Sequence, residues 1–218
     1  VNLYEARNDL SFCRIDGHVV FLDVGHDRYF RLSSRLEAAF EAHLEGAEVS
    51  KADLAHLVEQ GVLHRASAPA QWERHQVATA MRSALELPSA PSRVGPRLVL
   101  DVCAVVYRTH RWLKARRLKA LLAPLAQRTR SAAVAAEGEL IAATRQFLAA
   151  RKFVPIETCC LLDSISLLTF LARRDLFAHM VIGVTHAPFT AHCWVQAQDL
   201  ILNDALGNTR AFSVIRVV

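Results

Sequence analysis

The sequence predicts an α+β protein in two parts, and three observations carry that expectation. Residues 1–66 hold short β-type stretches broken by glycine-containing turns, then two amphipathic helical stretches. Residues 67–150 have helical periodicity and a basic balance. Residues 151–218 hold one almost wholly apolar helix followed by further β-type stretches. A chain of 218 residues suits one large domain or two small ones. The expected division is a first domain over 1–66, a linker and start of the second domain over 67–95, and a second domain over 96–218. The stretches 67–70 and 88–92, rich in Pro, Ser and Ala, are the linker candidates.

Composition excludes several classes. Hydrophobic residues make up 52% and charged residues 22%, which is globular rather than disordered. Mean hydropathy is +0.18, yet no uncharged apolar run reaches the length a membrane helix needs, so none is expected. Residues 1–7 lack the basic start and apolar core of a secretory signal, and a cytoplasmic location is expected. The five cysteines are sparse, odd in number and without a CxxC pair. A disulfide scaffold and a zinc ribbon are therefore disfavoured, and no metal site is expected. Net charge is −4 over residues 1–66, +8 over 67–150 and +1 over 151–218. The pI near 9.2 thus hides an acidic head, which argues against a uniformly basic nucleic-acid binder.

In the head, residues 12–15, 18–24 and 28–32 read as strands. Asp16-Gly17 is a two-residue hairpin signal, and Gly25, His26 and Asp27 make the next turn. Ser33 or Ser34 caps a helix to about His43. Ser50 caps a second one that Gly61 stops, and residues 62–65 leave as a short extended segment. Three strands and helices in 66 residues resemble a small winged helix-turn-helix module. The third strand lies at an edge, a template for an extended peptide. A structural cap on the second domain is the alternative.

In the middle, one long helix is expected over about 98–126 and another over about 132–150. Residues 108–119 carry six Lys and Arg and no acid. They read either as a solvated helix face or as a site for an anionic partner; the first is favoured, because a charge run specifies no partner.

The tail carries the chemistry. Residues 157–174 read as a loop entering a buried helix, with Cys160 in the first turn, where the helix dipole favours a thiolate. Residues 179–184 read as a strand. Residues 192–196 and 200–204 read as a hairpin about Gln198, with Gln196 facing Leu200, Trp194 facing Leu202 and His192 facing Asp204. A carboxylate opposite a histidine fixes its tautomer and stabilises the imidazolium. Cys160, His192 and Asp204 are thus a candidate nucleophile, base and orienting acid. Asp199 competes for the last role but lies in the turn, and Asp163 reads as a first-turn partner of the helix dipole. No phosphate-cradling GxxxxGK[ST] motif occurs, so nucleotide use by this chain is not expected.

These segments resemble a family. Residues 160–168 begin Cys160-Leu161. Residues 181–184 follow, then Pro188-Phe189-Thr190-Ala191-His192-Cys193-Trp194-Val195-Gln196, then Asn203-Asp204. Together they look like the leader peptidase of lasso peptide biosynthesis. The head, with residues 27–32 and 60–63, is similar to the leader-recognition module of ribosomal peptide pathways. The resemblance implies a transglutaminase-like fold related to papain-type cysteine proteases, with a helical part first and an antiparallel sheet last. It implies a fused form, in which leader recognition and cleavage share one chain. It implies peptide contacts at Arg28, Tyr29, Phe30, Arg31, Leu32, Asp53 and Leu57. It implies catalysis by Cys160, His192 and Asp204 with no cofactor, and as partners a precursor leader and an ATP-dependent cyclase. Two cysteines stand where the family usually has one, with Cys160 picked by the Cys-Leu pattern and Cys159 as its understudy. Cys193 replaces a common Ala, and Gln196 a common Glu. The rival readings are an acyltransferase or transglutaminase on the same triad, a non-catalytic chaperone that presents precursor, and a nucleic-acid binder using residues 108–119.

Overall fold

The turn at Asp16-Gly17 puts both residues in the left-handed region, at φ 50° and 77°. That geometry matches the twist of a tight hairpin, and glycine adopts it without a Cβ penalty. Strand pairing follows from it, Ile15 opposite His18 and so on to Leu10 opposite Asp23. The chain is described by a computed structural model over residues 4–7, 9–65, 77–88, 94–115, 118–129 and 137–218. It divides into two compact units, Val1–His75 and Gln76–Val218. The linker candidate 67–70 and residues 89–92 of the candidate 88–92 lie outside the described residues, as do residues 132–136 of the expected second middle helix.

In the first unit, β1 is Tyr4–Ala6, β2 Leu10–Ile15, β3 His18–Asp23 and β4 Arg28–Arg31. Helix α1 is Ser34–Leu44 and α2 Lys51–Glu59, followed by β5, Leu63–Arg65. The sheet order is β2-β3-β4, with β4 at one end. The extended exit after α2 becomes β5, antiparallel to β1. That pairing escapes sequence reading, because three residues are too few for alternation to register. Both sides of the hairpin and both helices feed one core, in which Phe21, Phe40, Leu57 and Val62 are fully buried. Phe21 meets Phe40 edge-on at 5.0 Å between ring centres.

The second unit runs β6 (Arg82–Ser83), α3 (Pro96–Ala115), α4 (Leu118–Thr129), α5 (Glu137–Arg151) and α6 (Cys160–Ala172). Then come β7 (His179–Thr185), β8 (Thr190–Ala197), β9 (Leu200–Ile201), α7 (Leu206–Thr209) and β10 (Ser213–Val217). The single helix expected over 98–126 is two helices, and the apolar pattern explains why. Val102, Val105, Val106 and Thr109 are buried on one face of α3. On a straight helix turning by about 100° per residue, Leu118, Leu121 and Leu122 would point to nearly the opposite side. Yet all three are buried.

Helix α6 packs on β7 and β8, with α3 and α5 against it. Its apolar composition suits that position, since Leu167, Phe170 and Leu171 are fully buried and Phe147 of α5 lies 5.3 Å from the Phe170 ring. The sheet order is β10-β7-β8-β9-β6. The expected antiparallel sheet is in fact mixed, because β6 joins β9 in parallel, Arg82 opposite Leu200. Two residues of strand cannot announce themselves in a sequence; here Arg82 anchors them, donating to Asp199 at 2.9 and 3.0 Å and to Glu137 at 2.7 Å.

Candidate active site

Cys160 is the first residue of α6, behind Cys159 in extended conformation. The first N–H groups of a helix have no intrahelical acceptor and carry the positive end of its dipole. His192 lies on β8 opposite Gly183 of β7. On its other side β8 pairs with β9 only at Gln196 and Ala197, so the ladder has ended before His192. At that bare stretch of strand edge, helix mouth, imidazole and carboxylate meet.

The meeting of His192 and Asp204 does not arise from the expected register. Ala197 faces Leu200 and Gln196 faces Ile201, one residue away from the predicted pairing, because the turn holds two residues, Gln198 and Asp199. Continued strictly, that register would set His192 against Ala205. The chain instead leaves the ladder after Leu202, and Asn203 takes over. Its Oδ1 accepts the Val195 N–H at 2.7 Å, and its Nδ2 donates to Ser164 Oγ at 3.1 Å. Asp204 then reaches back, and its Oδ2 bonds His192 Nε2. Its Oδ1 accepts the Ala205 N–H at 2.7 Å and Asn208 Nδ2 at 2.9 Å, and Ser83 Oγ donates to its carbonyl at 2.6 Å. The carboxylate is thus held on every side. Asp199, the competing orienter, is engaged by Arg82 instead.

With Nε2 on Asp204, the other ring nitrogen of His192 is left free to serve the Cys160 sulfur, and each group shifts the other's protonation. Cys193 acts on the same sulfur through its thiol and its main-chain N–H, and its thiol lies 3.9 Å from Ser164 Oγ. Hydrogen bonds from Cys193 first, and from His192 next, pull the Cys160 thiol down to about 4 against the opposing effect of burial. His192 is pushed up to about 8, chiefly by its bond to Cys160 and further by Asp204. Cys193 moves the other way, held far above the usual thiol range by its bond to Cys160 and then by burial. Between those two values the site carries a thiolate and an imidazolium side by side, which is an activated nucleophile with its proton donor in place. Cys159 is exposed and lies outside this set of hydrogen bonds to Cys160.

The surroundings fix these groups. The His192 ring lies 5.2 Å from Phe212 and 6.1 Å from Trp194. Gly183 makes room for both, since a Cβ there would meet Phe212 at 2.7 Å and Trp194 at 3.0 Å. Arg151, nearly buried, donates to Asp163 at 2.6 Å and to the carbonyls of Val154, Ile156 and Glu157, bracing the loop that enters α6. Asp163 in the first turn therefore has an ion-pair partner besides the helix dipole. Gln196, in place of the common Glu, donates to the carbonyls of Ala78 and Gln198 and accepts from Trp194, two donations a carboxylate would not make. Sequence reasoning gave no role to Ser164, Arg151 or Phe212. A serine one helical turn after Cys160 is the one signal that pointed to the first of them.

The expected peptide contacts fall into two groups. Arg28, Tyr29, Phe30 and Arg31 form β4, with Phe30 stacked on Phe21 at 5.0 Å and Arg28 over Phe30. Asp53 pairs with Arg35 at 3.0 Å and receives the Ser50 hydroxyl. Leu57, by contrast, is fully buried, and Leu32 nearly so. The resemblance offered Leu57 as a peptide contact, but it packs in the core with Phe21, Phe40 and Val62 and so holds α2 in place. The basic run keeps Arg108, Arg111 and Lys114 exposed on α3, while residues 116 and 117 lie outside the described residues. Among the described residues no cluster of His, Cys, Asp and Glu is placed to hold a metal, and no helix is long and apolar enough to cross a membrane.

The sequence pattern of the transglutaminase-like superfamily matches residues 103–217, more than half of the chain. This chain belongs to the transglutaminase-like superfamily. The matched span contains α6, β7, β8 and β9, and so all three residues of the proposed triad. The chain is also similar to the microcin J25-processing protein McjB of Escherichia coli, 41% identical over 56 residues. That match spans about a quarter of each protein, 26% of this chain and 27% of the relative. No solved structure matches the chain.

Proposed function

We propose that this chain is a cysteine peptidase that binds the leader of a ribosomally made precursor peptide and cuts it from the core during lasso peptide maturation. The observation that carries the reading is the Cys160–His192–Asp204 constellation: a sulfur held as thiolate, an imidazole bonded to it, and a fully braced carboxylate behind the imidazole. Membership of the transglutaminase-like superfamily supports cysteine acyl chemistry, and the stretch shared with a microcin J25-processing protein supports peptide maturation.

The thiolate of Cys160 attacks the scissile carbonyl. The Cys160 N–H, at the start of α6, is the candidate donor to the developing oxyanion, where fixed dipoles are worth most. His192 gives its proton to the departing amine, then takes one from water as the thioester is hydrolysed. Asp204 keeps the ring in the tautomer and orientation that both transfers need. The leader adds as a strand along β4 of the first unit, which acts as the winged-helix recognition module, with Asp53 on α2 nearby. Carriage of binding and cutting on one chain raises the effective concentration of the scissile bond, to the order of mM for a short connection. An ATP-dependent cyclase in the same cytoplasm then consumes the freed amine.

The test is mass spectrometry of precursor peptide incubated with wild type and with Cys160→Ala. Wild type releases intact leader and core. Cys160→Ala binds the leader and releases neither, whereas Cys159→Ala still cuts. Cleavage that survives Cys160→Ala, or a product that gains an added amine in place of water, overturns the reading, the latter in favour of acyl transfer.

A further inference from the structure

Cys193 occupies the strand position beside His192 and is buried, so peptide cleavage gives it no covalent task. Its neighbours are unusual for a core thiol. Ser164, one helical turn after Cys160 on α6, donates its hydroxyl to the Cys193 carbonyl at 3.3 Å, and its Oγ lies 3.9 Å from the Cys193 sulfur. That sets Cys193 against the face of α6 that carries Cys160, and each thiol shifts the other's protonation. Cys160 itself is half-buried at the helix mouth. One sulfur is therefore open to small solutes, and the second, shielded from them, packs against the same face of the same helix. We propose that Cys160 and Cys193 form a redox modification site, in which a hydroperoxide oxidises Cys160 and Cys193 closes a disulfide onto it.

The chemistry balances without a further reagent. The Cys160 thiolate attacks one oxygen of the hydroperoxide; the O–O bond breaks, and the sulfur, oxidised by two electrons, becomes a sulfenic acid. The other oxygen leaves as water or alcohol with a proton from solvent. Cys193 then attacks the sulfenic sulfur. The S–S bond forms, the S–O bond breaks, and the Cys193 proton departs with the hydroxyl as water. Hydrogen peroxide is reduced to two waters, and two thiols become one disulfide. A low thiol pKa and access favour the first step at Cys160, while Cys193 has neither.

Cys159 is the competing partner, and covalent geometry disfavours it. Consecutive Cα atoms lie about 3.8 Å apart across a trans peptide, below the roughly 4.4 Å at which the usual disulfide range begins. Cys159 is also exposed in extended conformation at the N-cap, outside the hydrogen bonds that hold the Cys160 sulfur. The bridge closes over the nucleophile, so it stops acylation and spares the sulfur from irreversible oxidation. This rests on the reading of Cys160 as a reactive thiolate, and the experiment separates the two.

The reduced full chain is treated with hydrogen peroxide at about pH 6, quenched with maleimide and mapped by peptide mass spectrometry. The expected product is a Cys160–Cys193 bridge, two hydrogens lighter than the reduced chain and reopened by dithiothreitol. In Cys193→Ala the expected product is Cys160 sulfinic acid, two oxygens heavier and not recovered by dithiothreitol. Should that variant fold poorly, the bridge mapped in wild type decides alone. A Cys159–Cys160 bridge overturns the proposal, as does sulfinic acid formed in wild type at the rate seen in Cys193→Ala. Iodoacetamide labelling of the untreated chain at the same pH tests the underlying reading. Preferential labelling of Cys160 with no bridge sinks the redox site alone, whereas labelling no faster than at Cys13 or Cys103 sinks both.

Discussion

Two helices of this chain begin in opposite ways. Helix α2 starts behind Ser50, whose hydroxyl accepts the Asp53 N–H, and Asp53 returns the contact. One of its free N–H groups is thus answered by a side chain of the chain itself. Helix α6 starts behind Cys159, which provides no side-chain acceptor, and a sulfur with anionic character sits in its first turn. One start is closed by a side chain and the other left open, as the proposed chemistry at Cys160 requires. The same feature of helix geometry, unanswered N–H groups, is consumed in the first unit and kept available in the second.

The largest effect expected on the open start comes from the carboxylate behind it. Asp204→Ala removes the acceptor that orients His192, and cleavage of precursor should fall by about 10²–10⁴-fold, with leader affinity in a pull-down unchanged. A fall in both together would point to unfolding rather than to lost proton transfer.

The pH dependence sharpens the assignment next. Cys160 titrates near 4 and His192 near 8, so the thiolate–imidazolium pair is the form between them. Cleavage should rise with pH through the first value, as the sulfur loses its proton. It should fall through the second, as His192 loses the proton it must give to the amine. Iodoacetamide alkylation of Cys160 needs the thiolate alone and should rise through the first value without falling at the second. A cleavage profile that stayed flat past the second value would remove His192 from the acid role.

Asn203→Ala leaves the Val195 N–H without its side-chain acceptor and takes one donor from the Ser164 hydroxyl. Unfolding by denaturant should show a loss of about 1–3 kcal/mol. Cleavage should drop beyond what that loss explains, because the same side chain delivers Asp204 to His192.

The smallest effects are a matched pair. Ser50→Ala should cost about 1 kcal/mol of stability and leave Cys160 alkylation as it was. Cys159→Ser installs an acceptor at the N-cap of α6. It should add about 1 kcal/mol and slow alkylation of Cys160 at low pH, since the hydroxyl then takes an N–H the sulfur's charge had to itself. Faster alkylation in Cys159→Ser would break the contrast between the two helix starts.

Legibility in the sequence followed the range of the interaction. The Asp16-Gly17 hairpin, the Ser50 cap and the helix beginning at Cys160 each rest on residues within a few positions of one another. All were readable as local patterns. The β8–β9 register was misread by one residue, because Gln198 and Asp199 do not announce a two-residue turn as Asp16-Gly17 does. His192 and Asp204 still met, through Asn203, whose role depends on Ser164 in a distant helix. Leu57, which the resemblance offered as a peptide contact, is buried in the core of the first unit, a placement that packing and not local pattern decides.

The sequence by itself determined the longer strands and helices, where the helix of the proposed nucleophile begins, and which histidine and carboxylate on neighbouring β-type stretches are candidates to meet. Tertiary structure alone decided that β6 closes the sheet edge, that Arg151 and Asn203 brace the site, and that a second thiol stands against the first. Local elements follow from backbone sterics and short-range periodicity. The donors around one sulfur come from chain segments more than thirty residues away from it, and packing brings them together.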